Sequence, residues 1–199
     1  MAVAVSSTVV ALHAAPAKVA ADRELVRACA SGDATALAAL FDRLHRDVFR
    51  FAARLVGAAD PDLDDLVQTT FVTAWGAAAG YRGEAEVRTW LFGICANVCR
   101  RHQRWHFRRR RAFVALAEAD ALEVMAGEEA LDRQKTLERV AVAMANLPHA
   151  WREAFVLCDV EGISGVDAAT SLGIPAGTLG RRLFEARRRL RRDLGGGEP

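Results

Sequence analysis

The chain has 199 residues, 52% hydrophobic and 26% charged, which supplies apolar material for one or two small cores and argues against disorder along the whole length. A formal net charge of +2 excludes a uniformly basic protein, so a nucleic-acid surface has to arise from local segregation of charge. Cys29, Cys95, Cys99 and Cys158 sit inside apolar helical patterns without the spacing of a disulfide scaffold, so the expectation is a reducing cytoplasm and no disulfide.

Residues 1–21 are partly apolar, but no basic region precedes the apolar run, and His13 and Pro16 interrupt it. They predict a flexible extension rather than a signal peptide or a membrane segment. Asp22 or Asp33 can each cap a helix. After Asp33, Leu37, Leu40, Phe41, Leu44, Val48, Phe51 and Leu55 recur at helical spacing up to Gly57, a C-terminal stop. Ala59, Asp60 and Pro61 turn the chain. A second helix from about Asp62 to Ala78 buries Leu66, Val67, Phe71, Ala74 and Trp75 and leaves Asp64, Asp65, Gln68 and Thr69 outside.

The stretch from Tyr81 to Arg111 opens as a turn around Gly83, becomes an apolar helix through Trp90, Leu91, Ile94 and Val98, and ends in arginines. Its other face carries Arg88, Asn97, Arg100, Arg101 and Arg104, which can bond phosphates and base edges, with Trp90 and Trp105 as stacking surfaces. An arginine run at a helix end is often only a solvated face that complements the helix dipole. A second arginine-rich helix near the C-terminus tips the reading toward nucleic acid.

Residues 112–134 form an acidic, alanine-rich segment with Glu118, Asp120, Glu123, Glu128, Glu129 and Asp132 and no strong apolar stripe, the pattern of a linker. Leu137, Val140, Ala141, Met144 and Leu147 mark the first helix of a second unit. Pro148 starts the next, with Trp151, Ala154, Phe155 and Cys158 on its buried side, and Gly162 ends it. Ser164 and Asp167 have capping-box spacing for a short helix through Ala168, Ala169 and Leu172, and Gly173, Ile174 and Pro175 form a turn. The last helix, about Ala176 to Leu194, buries Leu179, Leu183, Ala186 and Leu190 and exposes Arg181, Arg182, Arg187, Arg188, Arg191 and Arg192. Short helix, glycine turn and long basic helix together read as a DNA-binding helix-turn-helix. The alternative is a plain helical hairpin with a charged outer face. The fold expected is all-α, two small helical domains over 22–111 and 135–195 joined by the linker, with a tail at 196–199.

The chain carries no phosphate-cradling glycine loop, no nucleophile triad and no paired Cys-x-x-Cys knuckle, so no enzyme, cofactor or metal is expected. Cys95, Cys99, His102 and His106 share a helical face. Their ends lie about 16 Å apart at 1.5 Å per residue, too far for one ion to bind all four.

The blocks DLDDLVQTTFVTAW, YRGEAEVRTWLFGICANVCRR and LPHAWREAFVLCDVEGISGVDAATSLGIPAGTLGRRLFEARRRLRRDL resemble, in order and spacing, regions 2.2, 2.3 with 2.4, and 4 of extracytoplasmic-function (group 4) sigma factors of bacterial RNA polymerase. The resemblance implies a subunit that binds core polymerase, recognises the −35 and −10 promoter elements and promotes melting. It implies a core-polymerase face at Asp64, Asp65, Gln68 and Thr69. It assigns −10 contacts to Tyr81, Arg82, Gly83, Glu84, Arg88, Trp90, Asn97, Arg100, Arg101 and Arg104, the preceding loop receiving a flipped base, which costs a few kcal/mol to unstack. It assigns −35 contacts to Ser164, Thr178, Arg181, Arg182, Glu185 and Arg188. An anti-sigma partner is a further family-level expectation.

Three positions depart from the family pattern. Thr69 stands where a glutamate is usual, Gly180 where a basic or polar residue is usual, and Val166 with Asp167 where the preceding helix usually has an acidic pair. Gly180 offers DNA no side chain and costs a helix about 0.5 to 1 kcal/mol. The rival readings are a stand-alone helix-turn-helix regulator of duplex DNA, which leaves the Tyr81 to Arg111 surface unexplained, and a helical enzyme or adaptor.

Overall fold

A computed structural model of the chain describes residues 18–113 and 139–195, with side chains placed at 18–104 and 139–195. The expected linker from 114, the extension up to 17, the tail at 196–199 and the Trp105 side chain lie outside the described residues. All regular structure among the described residues is helical. The elements are α1 (residues 18–30), α2 (Ala34–Val56), α3 (Leu63–Ala77) with a 3₁₀ turn at Ala78–Gly80, α4 (Val87–Phe113), α5 (139–145), α6 (His149–Phe155) continued by a π turn at Val156–Val160, α7 (Gly165–Leu172) and α8 (Ala176–Asp193).

The expected extension is too long, because 18–21 already belong to α1. Asp22 is not a cap either. It lies within α1, 6% exposed, and accepts a 2.7 Å hydrogen bond from Arg43 Nε on α2. Asp33 caps α2 by accepting from the Thr35 amide at 2.9 Å. Gly57 ends that helix at φ 109°, where a side chain is strained, and donates back to the Ala53 carbonyl.

The expected stripe of α2 is the one that is buried: Leu40, Leu44, Val48, Phe51 and Leu55 face α3 and α4. At the centre Phe51 and Phe92 stack with ring centroids 4.3 Å apart and no exposure, and Leu91, Cys95, Ala96 and Cys99 extend the same side of α4. In the second unit α8 closes over α6 and α7 through Leu179, Ala186 and Leu190. Ahead of it Ala143 and Leu147 are buried, whereas Val140, expected on the inner stripe, is 39% exposed because α5 meets α8 on the neighbouring face.

The two units do not stand apart. A single apolar cluster runs from Val26 of α1 through α2, α3 and α4 into Val156, Leu157, Ala168 and Leu179. The junction is α4 against α7, with the π turn and α6 reaching α2.

Phe51→Ala is expected to lower unfolding stability by about 3–5 kcal/mol in urea denaturation followed by circular dichroism. Phe92→Ala should do the same. Because they share one contact, the double variant should lose less than the sum of the two.

Candidate nucleic-acid interface

The segment from Tyr81 to α4 is held by its own backbone. The Tyr81 hydroxyl donates to the Ala85 carbonyl at 2.6 Å, Gly83 takes φ 75°, and Arg23 of α1 reaches the Gly83 carbonyl at 3.4 Å. The Tyr81 ring lies 5.0 Å from that of Trp90, tilted 45°. Together with Arg82, Glu84, Gly93, Ile94 and Asn97 this pair borders a cleft of about 480 Å³. Two half-buried aromatic rings beside a polar-rimmed cleft are the surface an unstacked base needs.

The cleft is not open to solvent on every side. Thr170, Ser171, Leu172 and Gly173, at the end of α7, form its opposite wall. Burial of Tyr81 first, and only secondarily the charge of Glu86, raises its phenol above the ordinary value against the pull of Arg23 and Arg27.

The arginines expected on one DNA face divide. Arg101 and Asn97 are exposed on α4, and Arg82 is exposed in the loop before it. Arg88 instead donates to Glu161 Oε2, donates from Nε to Asp47 Oδ2 at 3.2 Å, and covers the Phe92 ring with its Cζ 4.5 Å from the centroid. Arg100 turns to α6, donating to Glu153 at 3.0 Å and 2.7 Å and to Asn97 Oδ1 at 3.0 Å. In this conformation Arg88 and Arg100 are thus turned to carboxylates of the chain itself. Buried carboxylates need a compensating cation, and these two arginines supply it, with Arg54 beside Arg88 at Glu161.

Glu153 and Glu161, together with Arg152, are what sequence reasoning missed. Glu153 is fully buried. Burial pushes its carboxyl up, yet His149, with Nε2 3.0 Å away, and Arg100 outweigh that effect and hold it below the ordinary carboxylate range. Arg152 donates to the carbonyls of Leu55 on α2, Ala145 at 2.6 Å and Leu147 at 3.1 Å, and burial lowers its pKa. The only signal in sequence was a charged pair, Arg152 and Glu153, inside an apolar run.

The face expected to meet polymerase is present on α3. Asp64, Asp65, Gln68 and Thr69 are exposed on one side, and Val72, 67% exposed, continues it as an apolar position that the sequence reading overlooked. On α8, Arg181 and Arg188 are exposed, Arg182 and Thr178 half-buried, and Glu185 is paired with Arg188 at 2.8 Å. Gly180 leaves open space beside Arg181. Arg187, exposed as expected, donates to Asp159 at 2.8 Å and 2.5 Å. Ser164, assigned to −35 DNA, is the α7 cap, accepting from the Asp167 amide at 3.1 Å and donating to its carboxylate at 2.7 Å.

The shared face of Cys95, Cys99 and His102 also divides. Both thiols turn into the core 3.9 Å apart, and Cys95 first, then burial, pushes the Cys99 thiol far up. His102 staples α4 to the turn before α3, with Nε2 3.1 Å from Asp60 Oδ2. Asp60, Asp62 and His102 place donor atoms within 4.8 Å of one another, and that staple accounts for their convergence. No described helix is long and apolar enough to cross a membrane.

Comparison with known proteins adds an independent finding. The family model described as Sigma-70 region 2 matches residues 40–112, and that described as Sigma-70, region 4 matches 137–190. The ECF RNA polymerase sigma factor SigM of Mycobacterium tuberculosis is 34% identical over 87% of this chain and 85% of its own length. The RNA polymerase sigma factor CnrH of Cupriavidus metallidurans is 35% identical over 85% and 92%. The solved structure of CnrH in complex with the cytosolic domain of CnrY superposes with a TM-score of 0.62 at 31% identity, covering 89% of this chain and 99% of that one. The sigma factor RpoE in complex with the anti-sigma factor NepR from Bartonella quintana gives 0.60 at 26% identity over 79% and 96%.

The Glu153 pairing has a definite pH signature. A carboxyl held below its unfolded value contributes stability that is present above about pH 4.3 and is lost as pH falls through the lower folded value. Glu153→Gln should therefore cost about 1–3 kcal/mol at pH 7, since it leaves Arg100 without its partner, and the deficit should shrink below pH 4. Urea midpoints of the two proteins at pH 7, 5 and 3.5 check this.

Proposed function

The chain belongs to the extracytoplasmic-function sigma factors, the group 4 branch of the sigma-70 family, and from that premise we propose how its surfaces share the work of initiation. It is an RNA polymerase sigma factor. Two functional units, α1 to α4 and α5 to α8, carry the two promoter contacts. Core polymerase takes the exposed face of α3 around Asp64, Asp65, Gln68 and Thr69, with Val72 adding apolar contact. The −10 strand is captured by the loop from Tyr81 to Glu84 and by Trp90, Asn97, Arg101 and Arg104. The −35 duplex receives the N-terminal half of α8, where Arg181 and Arg182 reach base edges or phosphate and Arg188 holds phosphate.

The observation that carries the reading is the Tyr81 and Trp90 pair beside a polar cleft whose lining includes no residue of the acidic and amide face of α3. A stand-alone regulator of duplex DNA has no use for such a pocket. That CnrH and RpoE were solved with CnrY and NepR extends the reading to an anti-sigma partner, and the chain acts in the cytoplasm, where polymerase is.

Pull-down with core RNA polymerase followed by run-off transcription tests the reading as a whole. Replacing both Asp65 and Gln68 by Ala should weaken capture of core while shifting thermal stability by less than about 0.5 kcal/mol, as expected for exposed positions. Loss of folding would make these residues structural instead.

The two DNA surfaces should fail at different steps. Arg181→Ala should weaken closed-complex formation by about 1–3 kcal/mol if it makes a bidentate base contact. Glu84→Ala should leave that step nearly intact and slow opening, with partial rescue on a template already unpaired over the −10 element. Equal rescue of both variants in a permanganate footprint of the bubble would disprove the division.

A further inference from the structure

The contacts assigned to the −10 strand lie in the loop from Tyr81 to Glu84 and on α4, on one flank of that loop. Its other flank leans on α1. Three inward residues at helical spacing fix the rotation of α1: Asp22, which pairs with Arg43 of α2 at 2.7 Å, and Val26 and Cys29, 1% and 4% exposed. Arg23 and Arg27 follow one position behind this stripe and four residues apart, so they share the neighbouring face of the helix. Both charges pull on the Tyr81 phenol, which places that face toward the loop.

The two guanidinium groups are not used up by the fold. Arg43, Arg54, Arg88 and Arg100 each hold a carboxylate of another element. Arg23 and Arg27 hold none among the described residues, although Glu24, Glu84 and Glu86 stand exposed on α1 and in the loop. Arg23 is the sharper case. Its Nη2 reaches the Gly83 carbonyl only at 3.4 Å, long for an N–H donor, and its Nε is buried with no hydrogen-bond partner. A buried donor left unpaired costs stability, so its partner is to be sought in what the loop receives. A nucleotide whose base enters the loop brings a phosphate with it, and a planar guanidinium fork takes a phosphate through two parallel bonds.

We propose that α1 is the phosphate-binding wall of the single-strand site: Arg23, held at the Gly83 carbonyl, takes the backbone phosphate of the nucleotide seated in the loop, and Arg27, one turn on, takes the adjacent phosphate. The proposal rests on the assignment of the loop to the −10 strand. It adds where the backbone of that strand runs, across α1, with the bases turned toward Tyr81 and Trp90. Contacts of this kind fix the position of a strand without reading its sequence.

The test uses holoenzyme assembled from core polymerase and the full chain. A forked template is prepared whose single strand over the −10 element has been selected by the wild-type holoenzyme from a randomised pool. The selected strand is then rebuilt with one phosphate at a time replaced by an uncharged methylphosphonate. With the wild-type chain, two adjacent linkages should stand out, each costing about tenfold in affinity, the loss expected when a charged hydrogen-bond pair is broken. Arg23→Gln should weaken binding of the unmodified strand by a similar factor and lose sensitivity to the first of those linkages. Arg27→Gln should lose sensitivity to the second alone. Each variant should also reduce the dependence of log affinity on log salt by about 0.7, the share of one single-stranded phosphate, with helical content by circular dichroism unchanged.

If Arg23→Gln weakens binding but still loses tenfold at both linkages, Arg23 only shapes the loop and the phosphate wall is disproved. Arg27 is exposed, so it decides the matter even should Arg23→Gln fail to fold: full sensitivity of Arg27→Gln to both linkages overturns the proposal. A selected strand on which no linkage is coupled to either arginine sinks the wall and leaves the loop as a base receptor. If the wild-type holoenzyme selects no sequence from the pool, the assignment of the loop to the −10 strand fails, and the wall with it.

Discussion

A carboxylate with no solvent exposure has to be matched by charge or hydrogen bonds, and Glu153 on α6 finds them in Arg100 of α4, across the junction, and in His149 of its own helix. Glu161 repeats the requirement at the end of the π turn with Arg54 and Arg88. These obligations fix how the second helical unit sits on the first. The apolar surfaces of Val156, Leu157, Ala168 and Leu172 then close over α4 in one register and not another, because sliding by a turn would leave two glutamates unpaired in a low-dielectric layer. Arg152 adds a directional element, its guanidinium joining the end of α2 to the turn between α5 and α6 through three carbonyls.

The π turn at Val156–Val160 follows from the same demand. Its wider winding, seen in the Glu161 amide bonding to the Val156 carbonyl at 2.9 Å, rotates the residues beyond it relative to an α-helix. Asp159 is thereby brought to Arg187 of α8 and Glu161 to the first unit, so one irregular turn holds α8 on one side and the bundle junction on the other.

Electrostatics in this molecule are a matter of placement. With a net charge of +2, the arginines are divided between exposed positions such as Arg101 and Arg181 and positions paired with carboxylates of other elements, such as Arg88, Arg100 and Arg187. The α3 face carries the opposite character, with Asp64 and Asp65 in its first turn, where they also suit the helix dipole. A protein that must meet both a polymerase and DNA benefits from surfaces of unlike sign held on different helices, since each partner is then repelled from the other's site.

Periodicity and punctuation by themselves determined the helices. The stripe from Leu40 to Leu55 is the buried face of α2, Asp33 and Gly57 bound it, Ser164 caps α7 and Gly173 turns the chain at φ 64° into α8, because these signals depend only on local geometry. The order of blocks DLDDLVQTTFVTAW and YRGEAEVRTW was enough to indicate the family, and the polar face of α3 was legible because exposure there follows from the helix's own apolar stripe. Arginine was where sequence alone ran out. On a helical wheel Arg88, Arg100 and Arg101 all read as outward charges, yet Arg88 and Arg100 are half-buried where Arg101 is exposed, since the carboxylates that claim the first two come from residues 73 and 53 positions further along the chain. Gly93 reads in sequence as a weak spot in α4. Its meaning as the seat of Ser171 exists only in the packed molecule, because a missing side chain carries information solely through what comes close enough to use the space.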